Sequence, residues 1–164
     1  MDESTIGRGR LAGKVAMVTG AGSGPDAVGI GIGEAIARLF AREGARVLAV
    51  DNDEARAART VTAITAEGSE ATVYIADVSV SGQCRTAVEA AVDRYGGLDV
   101  LVNNVGISVL GSVVDLDLDG YQRAMDVNLK SMVLTSRYAV PVMIEGGGGS
   151  IVNLSSIVGL RAGQ

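Results

Sequence analysis

The first residues of this chain with a chemical use are the glycines that follow the apolar run Val15-Ala16-Met17-Val18. Thr19-Gly20-Ala21-Gly22-Ser23-Gly24, then Pro25-Asp26-Ala27-Val28, then Gly29-Ile30-Gly31-Ile32-Gly33 stand between that run and a helical pattern. Glycine at such a junction lets the backbone turn tightly and approach a pyrophosphate, whose charge is met by free N–H groups and the positive end of the helix. Gly20, Gly31 and Gly33 are the expected phosphate-facing positions, with Gly22 and Gly24 able to share them, and Asp26 would be unfavourable if it faced a pyrophosphate. The plain alternative is a loose turn. Asp51 stands at the end of the next apolar run, Arg46-Val47-Leu48-Ala49-Val50, about 20 residues beyond the last glycines. A carboxylate there accepts both ribose hydroxyls of adenosine and repels a 2′-phosphate, which favours NAD over NADP; taken alone, the same residue would simply cap the following helix. Asp77-Val78 and Asn103-Asn104-Val105-Gly106 close the third and fourth apolar runs, the edge at which open α/β sheets bind ligands. Singly, each of these residues is as readily a turn former.

The elements that must position these groups follow from the hydrophobic pattern. Residues 15–18, 46–50, 72–75, 100–102 and 151–154 are near-continuous apolar runs of the kind buried on both faces of a parallel sheet. Helical spacing separates them: Ile32, Ile36, Leu39 and Phe40 share one face of a first helix stopped at Gly44, and further helices are expected at about 53–67, 81–95 and 117–145. Asp117 is suited to cap the last, Pro141 is a kink point within it, and Gly146 to Gly149 end it. The alternation predicts a doubly wound, Rossmann-type α/β fold with a parallel sheet, in one nucleotide-binding domain over residues 1–164.

Composition narrows the chemistry. The 164 residues are 48% hydrophobic and 20% charged with a net charge of −5, which suits a folded chain and gives a poor electrostatic footprint for nucleic acid or anionic lipid. Cys84 is the only cysteine and there is no histidine, so disulfide frameworks, Cys/His zinc sites and His-based triads are excluded, and no metal is expected. No apolar run approaches the roughly 20 residues of a membrane span, and the acidic start does not read as a signal peptide, so a cytoplasmic protein is expected.

Taken in order, Thr19-Gly20 with Gly31-Ile32-Gly33, Asp77-Val78, Asn103-Asn104-Val105-Gly106, Val127-Asn128-Leu129 and Ser155-Ser156 resemble the short-chain dehydrogenase/reductase family, from about residue 13 to the end of the chain. The resemblance implies hydride transfer between a nicotinamide cofactor and an alcohol or carbonyl carbon, on a small-molecule alcohol or ketone, in a homo-oligomer, dimer or tetramer, built partly on the helix at 117–145. Residue by residue, it assigns Asn128 to a proton-relay water and Ser156 to the substrate oxygen. The cofactor set it implies is Gly20, Gly31, Ile32, Gly33, Asp51, Asp77, Val78, Asn104, Val105 and Gly106, with Asn103 and Asn104 ordering the central strand and lining the nicotinamide side. Lys130 does not match the family's catalytic lysine.

The chain departs from the pattern twice. The family runs Thr-Gly-x-x-x-Gly-x-Gly without the stretch from Pro25 to Ile30, and its Tyr-x-x-x-Lys follows the serine at a distance this chain does not reach. In the family that tyrosine passes the proton and the lysine lowers a phenol pKa of about 10. Tyr74, Tyr95, Tyr121 and Tyr138 fall in strands or helices and are expected to be structural. The expectation is therefore an amino-terminal portion of a longer enzyme, with its fifth strand left as an uncovered edge. A non-catalytic dinucleotide-binding scaffold is the alternative. An S-adenosylmethionine methyltransferase shares the glycine loop and the acidic strand ends but leaves the Asn-Asn, Val-Asn-Leu and Ser-Ser segments without a use.

Overall fold

Five apolar runs become strands of one sheet; the three central ones are largely buried on both faces and the two edge strands only partly covered. In the computed structural model, which describes residues 9–24 and 29–157, β1 (Val15–Thr19), β2 (Arg46–Asp51), β3 (Ala71–Ile75), β4 (Val100–Asn103) and β5 (Ser150–Asn153) form one sheet in the order β3-β2-β1-β4-β5. All four pairings are parallel. Strand alternation divides the core into two layers. Met17, Leu48 and Leu101 point to the side covered by α3 (Ser81–Tyr95) and α5 (Ser131–Glu145), whereas Ala16, Val18, Val47, Ala49 and Val102 face α1 (Ile32–Arg42) and α2 (Glu54–Ala66). Met17, Leu48 and Leu101 are at most 1% exposed, and each contributes on the order of 1.5–3 kcal/mol of burial free energy.

Helix starts follow local capping chemistry. Asp53 accepts the Arg56 N–H at 3.0 Å at the head of α2, and Asp117 accepts from Asp119 and Gly120 at the head of α4 (Leu118–Met125). The apolar face expected for α1 holds in half: Ile36 and Phe40 pack against the core, whereas Ile32 and Leu39 are 66% and 47% exposed. The buried positions of α1 are Gly33, Glu34, Ala37 and Ala41. At Gly33 the approach is so close that a Cβ would lie 1.9 Å from Gly20 O, which admits no larger residue.

The single helix expected at 117–145 is also corrected. It is interrupted between α4 and α5 by a π-helical turn, Asp126–Lys130. Pro141 lies inside α5 without ending it. Asp77 stands two residues beyond β3 rather than at its last position. Asp26 and the rest of 25–28 lie outside the described residues, as do residues 158–164.

Candidate functional site

The chain leaves β3 at one edge of the sheet and returns at β4 on the far side of β1, so the connections after β1 and β4 diverge and open a crevice at the strands' carboxyl ends. An open cleft of about 670 Å³ lies there, walled by Gly20, Gly22, Val50, Asp51, Asn52 and Arg56 on one side, and by Ala76 to Ser79 and Asn104 to Ile107 on the others. Asp119, Gln122, Arg123, Asp126 and Val127 complete it from α4 and the π turn.

The glycine loop is held from behind. Ala21 donates its N–H to Val50 O at 3.1 Å, Thr60 Oγ1 donates to Ala21 O at 2.8 Å, and the Arg59 guanidinium donates to Ser23 O, so α2 clamps the loop's carbonyls. Ser23 Oγ accepts the Gly31 N–H at 2.7 Å. That bond ties Gly31, at the start of α1, directly to the glycine loop after β1. Gly33 is packed rather than presented: a Cβ there would lie 1.9 Å from Gly20 O and 2.6 Å from Asn104 Nδ2. Among the described residues, no side chain caps the first turn of α1, whose N-cap is Gly31, and N–H groups at such a terminus suit an anion.

Asp51 is 9% exposed and fixed by two backbone donors, Gly22 N to Oδ2 at 2.9 Å and Asp53 N to Oδ1 at 3.1 Å. Each carboxylate oxygen retains a lone pair for a further donor. Asp77 takes both Ser79 N–H and Ser79 Oγ–H on Oδ1, at 2.9 and 2.6 Å. Asn104 joins β4 to the loop, with its N–H on Thr19 Oγ1 and Nδ2 on the carbonyls of Thr19 and Gly20 at 3.1 and 2.9 Å. Together, the helix terminus, the closely packed Gly20, Gly22 and Gly33 and the carboxylate at the end of β2 fit an adenine dinucleotide.

A second cluster stands beside the cleft. Asn103 is 2% exposed; its Nδ2 donates to Asn153 Oδ1 at 2.8 Å and its Oδ1 accepts Thr135 Oγ1 at 2.7 Å, tying β4, β5 and α5 together. Asn128 sits in the π turn and bonds both backbone groups of Ile107 at 2.8 Å. One extra residue per turn loosens the helical ladder, and such turns frequently occur at functional sites. Ser131 Oγ takes up the Val127 carbonyl. Ser156 is exposed on the segment after β5, at the same carboxyl edge.

Of the sequence-derived residues, the cleft gathers Gly20, Asp51, Asp77, Val78, Asn104, Val105 and Gly106, whereas Gly31, Ile32, Gly33, Asn128 and Ser156 do not line it. Arg56 and Arg123, which do, were missed because nothing in their spacing distinguishes them from solvated helix residues. Arg59 and Thr60 were missed for the same reason. Tyr95 and Tyr138 have structural hydroxyls as expected, on Thr72 and Ser81, while Tyr121 is 46% exposed.

Comparison with known proteins converges on one group. The sequence profile described as "short chain dehydrogenase" matches residues 14–164. An oxidoreductase of Methylorubrum extorquens is 43% identical over 150 residues, 91% of this chain and 57% of that protein. A 2,5-dichloro-2,5-cyclohexadiene-1,4-diol dehydrogenase of Sphingobium indicum is 37% identical over 151 residues, 92% of this chain and 58% of that protein. A short-chain dehydrogenase/reductase crystal structure from Burkholderia xenovorans superposes with a TM-score of 0.89 at 44% identity, covering 93% of this chain and 60% of that one. The chain therefore spans a little over half the length of the relatives it matches. Among the described residues, no helix is long and apolar enough to cross a membrane.

Proposed function

Because this chain belongs to the short chain dehydrogenase family, we propose that it forms the dinucleotide-binding part of an oxidoreductase that uses NAD in preference to NADP and acts on a small alcohol or its ketone. The observation that carries this reading is Asp51, held by Gly22 N and Asp53 N at the rim of the switch-point cleft. A carboxylate fixed there receives ribose hydroxyls and repels a 2′-phosphate. Bound nicotinamide supplies or accepts the hydride.

This chain's own residues do the rest. Gly20 and Gly22 admit the phosphates without a side chain, Val78 and Val105 offer apolar walls, and Asn104 keeps the loop closed on β4. Asn128 holds the π turn against Ile107 and so positions groups for a relay water, and Ser156 hydrogen-bonds the substrate oxygen. The exposed apolar residues Leu129, Val133, Val140 and Ile144 recur at helical spacing along the π turn and α5, which supports a homo-oligomer; a cytoplasmic enzyme is part of the same reading.

Parallel calorimetric titrations with NADH and NADPH test the assignment. NADH is expected to bind about tenfold tighter, and Asp51→Asn to erode that ratio. Equal affinities unaffected by Asp51→Asn would refute the role given to the carboxylate.

A further inference from the structure

Asn103, at the end of β4, is the junction of a hydrogen-bond chain that runs from α5 to the exit of β5. Its Nδ2 donates to Asn153 Oδ1 at 2.8 Å, its Oδ1 accepts from Thr135 Oγ1 at 2.7 Å, and its backbone carbonyl accepts the Leu154 N–H at 2.9 Å. Asn103 and Asn153 are register partners across β4 and β5, so side chain and backbone hold neighbouring residues at the same point. Ser155 and Ser156 follow directly after Leu154. One proton sets the direction of this chain. A carboxamide can turn over and exchange its donor and acceptor ends, so the Asn103 and Asn153 pair by itself has no fixed polarity. A threonine hydroxyl has a single proton to give, and three oxygens lie within reach of Thr135 Oγ1: Asn103 Oδ1 at 2.7 Å, Ser131 O at 2.8 Å and Met132 O at 3.3 Å. Ser131 O lies one helical turn back in α5, where a carbonyl already receives a backbone N–H. Asn103 is 2% exposed, and among the described residues Thr135 is the donor that reaches its Oδ1. A buried acceptor left without a donor is costly, so the proton belongs to Asn103, which is thereby turned with Nδ2 toward Asn153.

We propose that Thr135 is a positioning residue for the reacting centre: its hydroxyl fixes the Asn103 carboxamide, which in turn holds Asn153 and the Ser155-Ser156 segment against α5. The inference rests on the reading of Asn128 and Ser156 given above and deepens it. Asn128, in the π turn, is fastened to Ile107 beyond the exit of β4, whereas Thr135, in α5 directly after that turn, is fastened to β4 itself. Of these two ties the second continues into β5. Losing the Thr135 hydroxyl therefore loosens the serine segment without touching the Asn128 clasp. Asp51 and Asn104, on the nucleotide side, keep their own bonds.

Amide NMR of the 164-residue chain reads the consequences. Thr135→Val keeps the side-chain volume and removes the proton, whereas Thr135→Ser keeps the proton and loses a methyl group. In Thr135→Val the Ser155 and Ser156 amide signals are expected to move and the Leu154 N–H to exchange about tenfold faster. Met17 and Leu48, in the central strands, should exchange as before. Thr135→Ser is expected to restore the wild-type pattern, the reverse of what a packing role would give. Asn153→Asp tests the polarity at the far end, since an ionised carboxylate only accepts. At pH 7 its Leu154 exchange should stay within about twofold of wild type. Loss of that protection makes Asn153 the donor and overturns the proposal, even where Thr135→Val does not fold. Serine signals and Leu154 exchange left unchanged by Thr135→Val, or disturbed as much by Thr135→Ser, overturn it too. NADH titration of the same samples keeps the two readings apart. A wild-type chain that does not bind NADH overturns the dinucleotide reading and the part given to the serine segment, whereas intact binding beside a failed NMR outcome overturns the role of Thr135 alone.

Discussion

Asn128 clasps Ile107 with both ends of its carboxamide: Oδ1 accepts the Ile107 N–H and Nδ2 donates to the Ile107 carbonyl, each at 2.8 Å. A π turn is thereby fastened to the loop that follows β4, 21 residues earlier in the chain. Asn128→Ala removes both bonds and should cost about 1–3 kcal/mol of unfolding free energy. Asn128→Asp keeps the acceptor but turns a carboxylate oxygen toward the Ile107 carbonyl. Its deficit should be larger at pH 7 than at pH 3.5, where a protonated carboxyl can donate again. Urea titrations at the two pH values check this; identical deficits for the Asp variant would contradict the two-bond arrangement.

Gly33 and Gly24 differ sharply in what surrounds them. A methyl group at Gly33 would overlap Gly20 O and press on Asn104 Nδ2, whereas one at Gly24 meets nothing within 4 Å among the described residues. Gly33→Ala should therefore lose about 3 kcal/mol or more and weaken nucleotide binding, while Gly24→Ala should stay within about 0.5 kcal/mol of the parent. Thermal melts with and without NADH measure both effects. Equal behaviour of the two variants would show that the loop does not pack as described.

Glu67 joins α2 to α1 through Arg42 at 2.7 Å and Arg38 at 2.5 Å. Hydrogen bonds from Arg42 and Arg38 hold its carboxyl at about 2, down from 4.5. A depressed folded-state pKa means that the charged form stabilises the fold above about pH 4.5, and that this stabilisation is lost as pH falls toward 2. Glu67→Gln should lower Tm at pH 7, with the gap to wild type closing between pH 4.5 and 2. A gap that stays constant across that range would exclude the linkage.

Cys84 is fully buried, and its thiol donates to the Val78 carbonyl at 3.0 Å. Burial, with Asp77 adding to it, pushes the thiol up to about 11. Reactivity follows the thiolate, so alkylation by iodoacetamide at pH 8 should be negligible in the native chain and rapid in urea. Mass spectrometry of the timed reaction reads it out. Fast native labelling would mean that the α3 contact with Val78 opens readily.

The strands could be located within a residue or so because parallel strands buried on both faces read as unbroken apolar runs, and residues 46–50 became Arg46–Asp51 with one addition. Capping was equally legible at Asp117, where side-chain and backbone chemistry are only two or three residues apart. The apolar face of α1 is legible only in part. Ile32, Ile36, Leu39 and Phe40 all obey helical spacing, but only Ile36 and Phe40 reach the core, because the helix also turns Gly33, Ala37 and Ala41 inward.

What the sequence determined by itself was the set of glycines, acidic strand ends and Asn-Asn and Ser-Ser segments, together with the order in which strands present them, since these depend on local backbone freedom and hydrophobic period. What only the tertiary structure decided was their company. Arg56 beside Asp51, Ser23 Oγ accepting from Gly31 N–H, and Thr135 satisfying Asn103 from α5 all join residues 8 to 32 positions apart or meet at a common neighbour. Such pairings depend on how closely helices approach the sheet, a distance fixed by packing the whole core and written in no single stretch of chain.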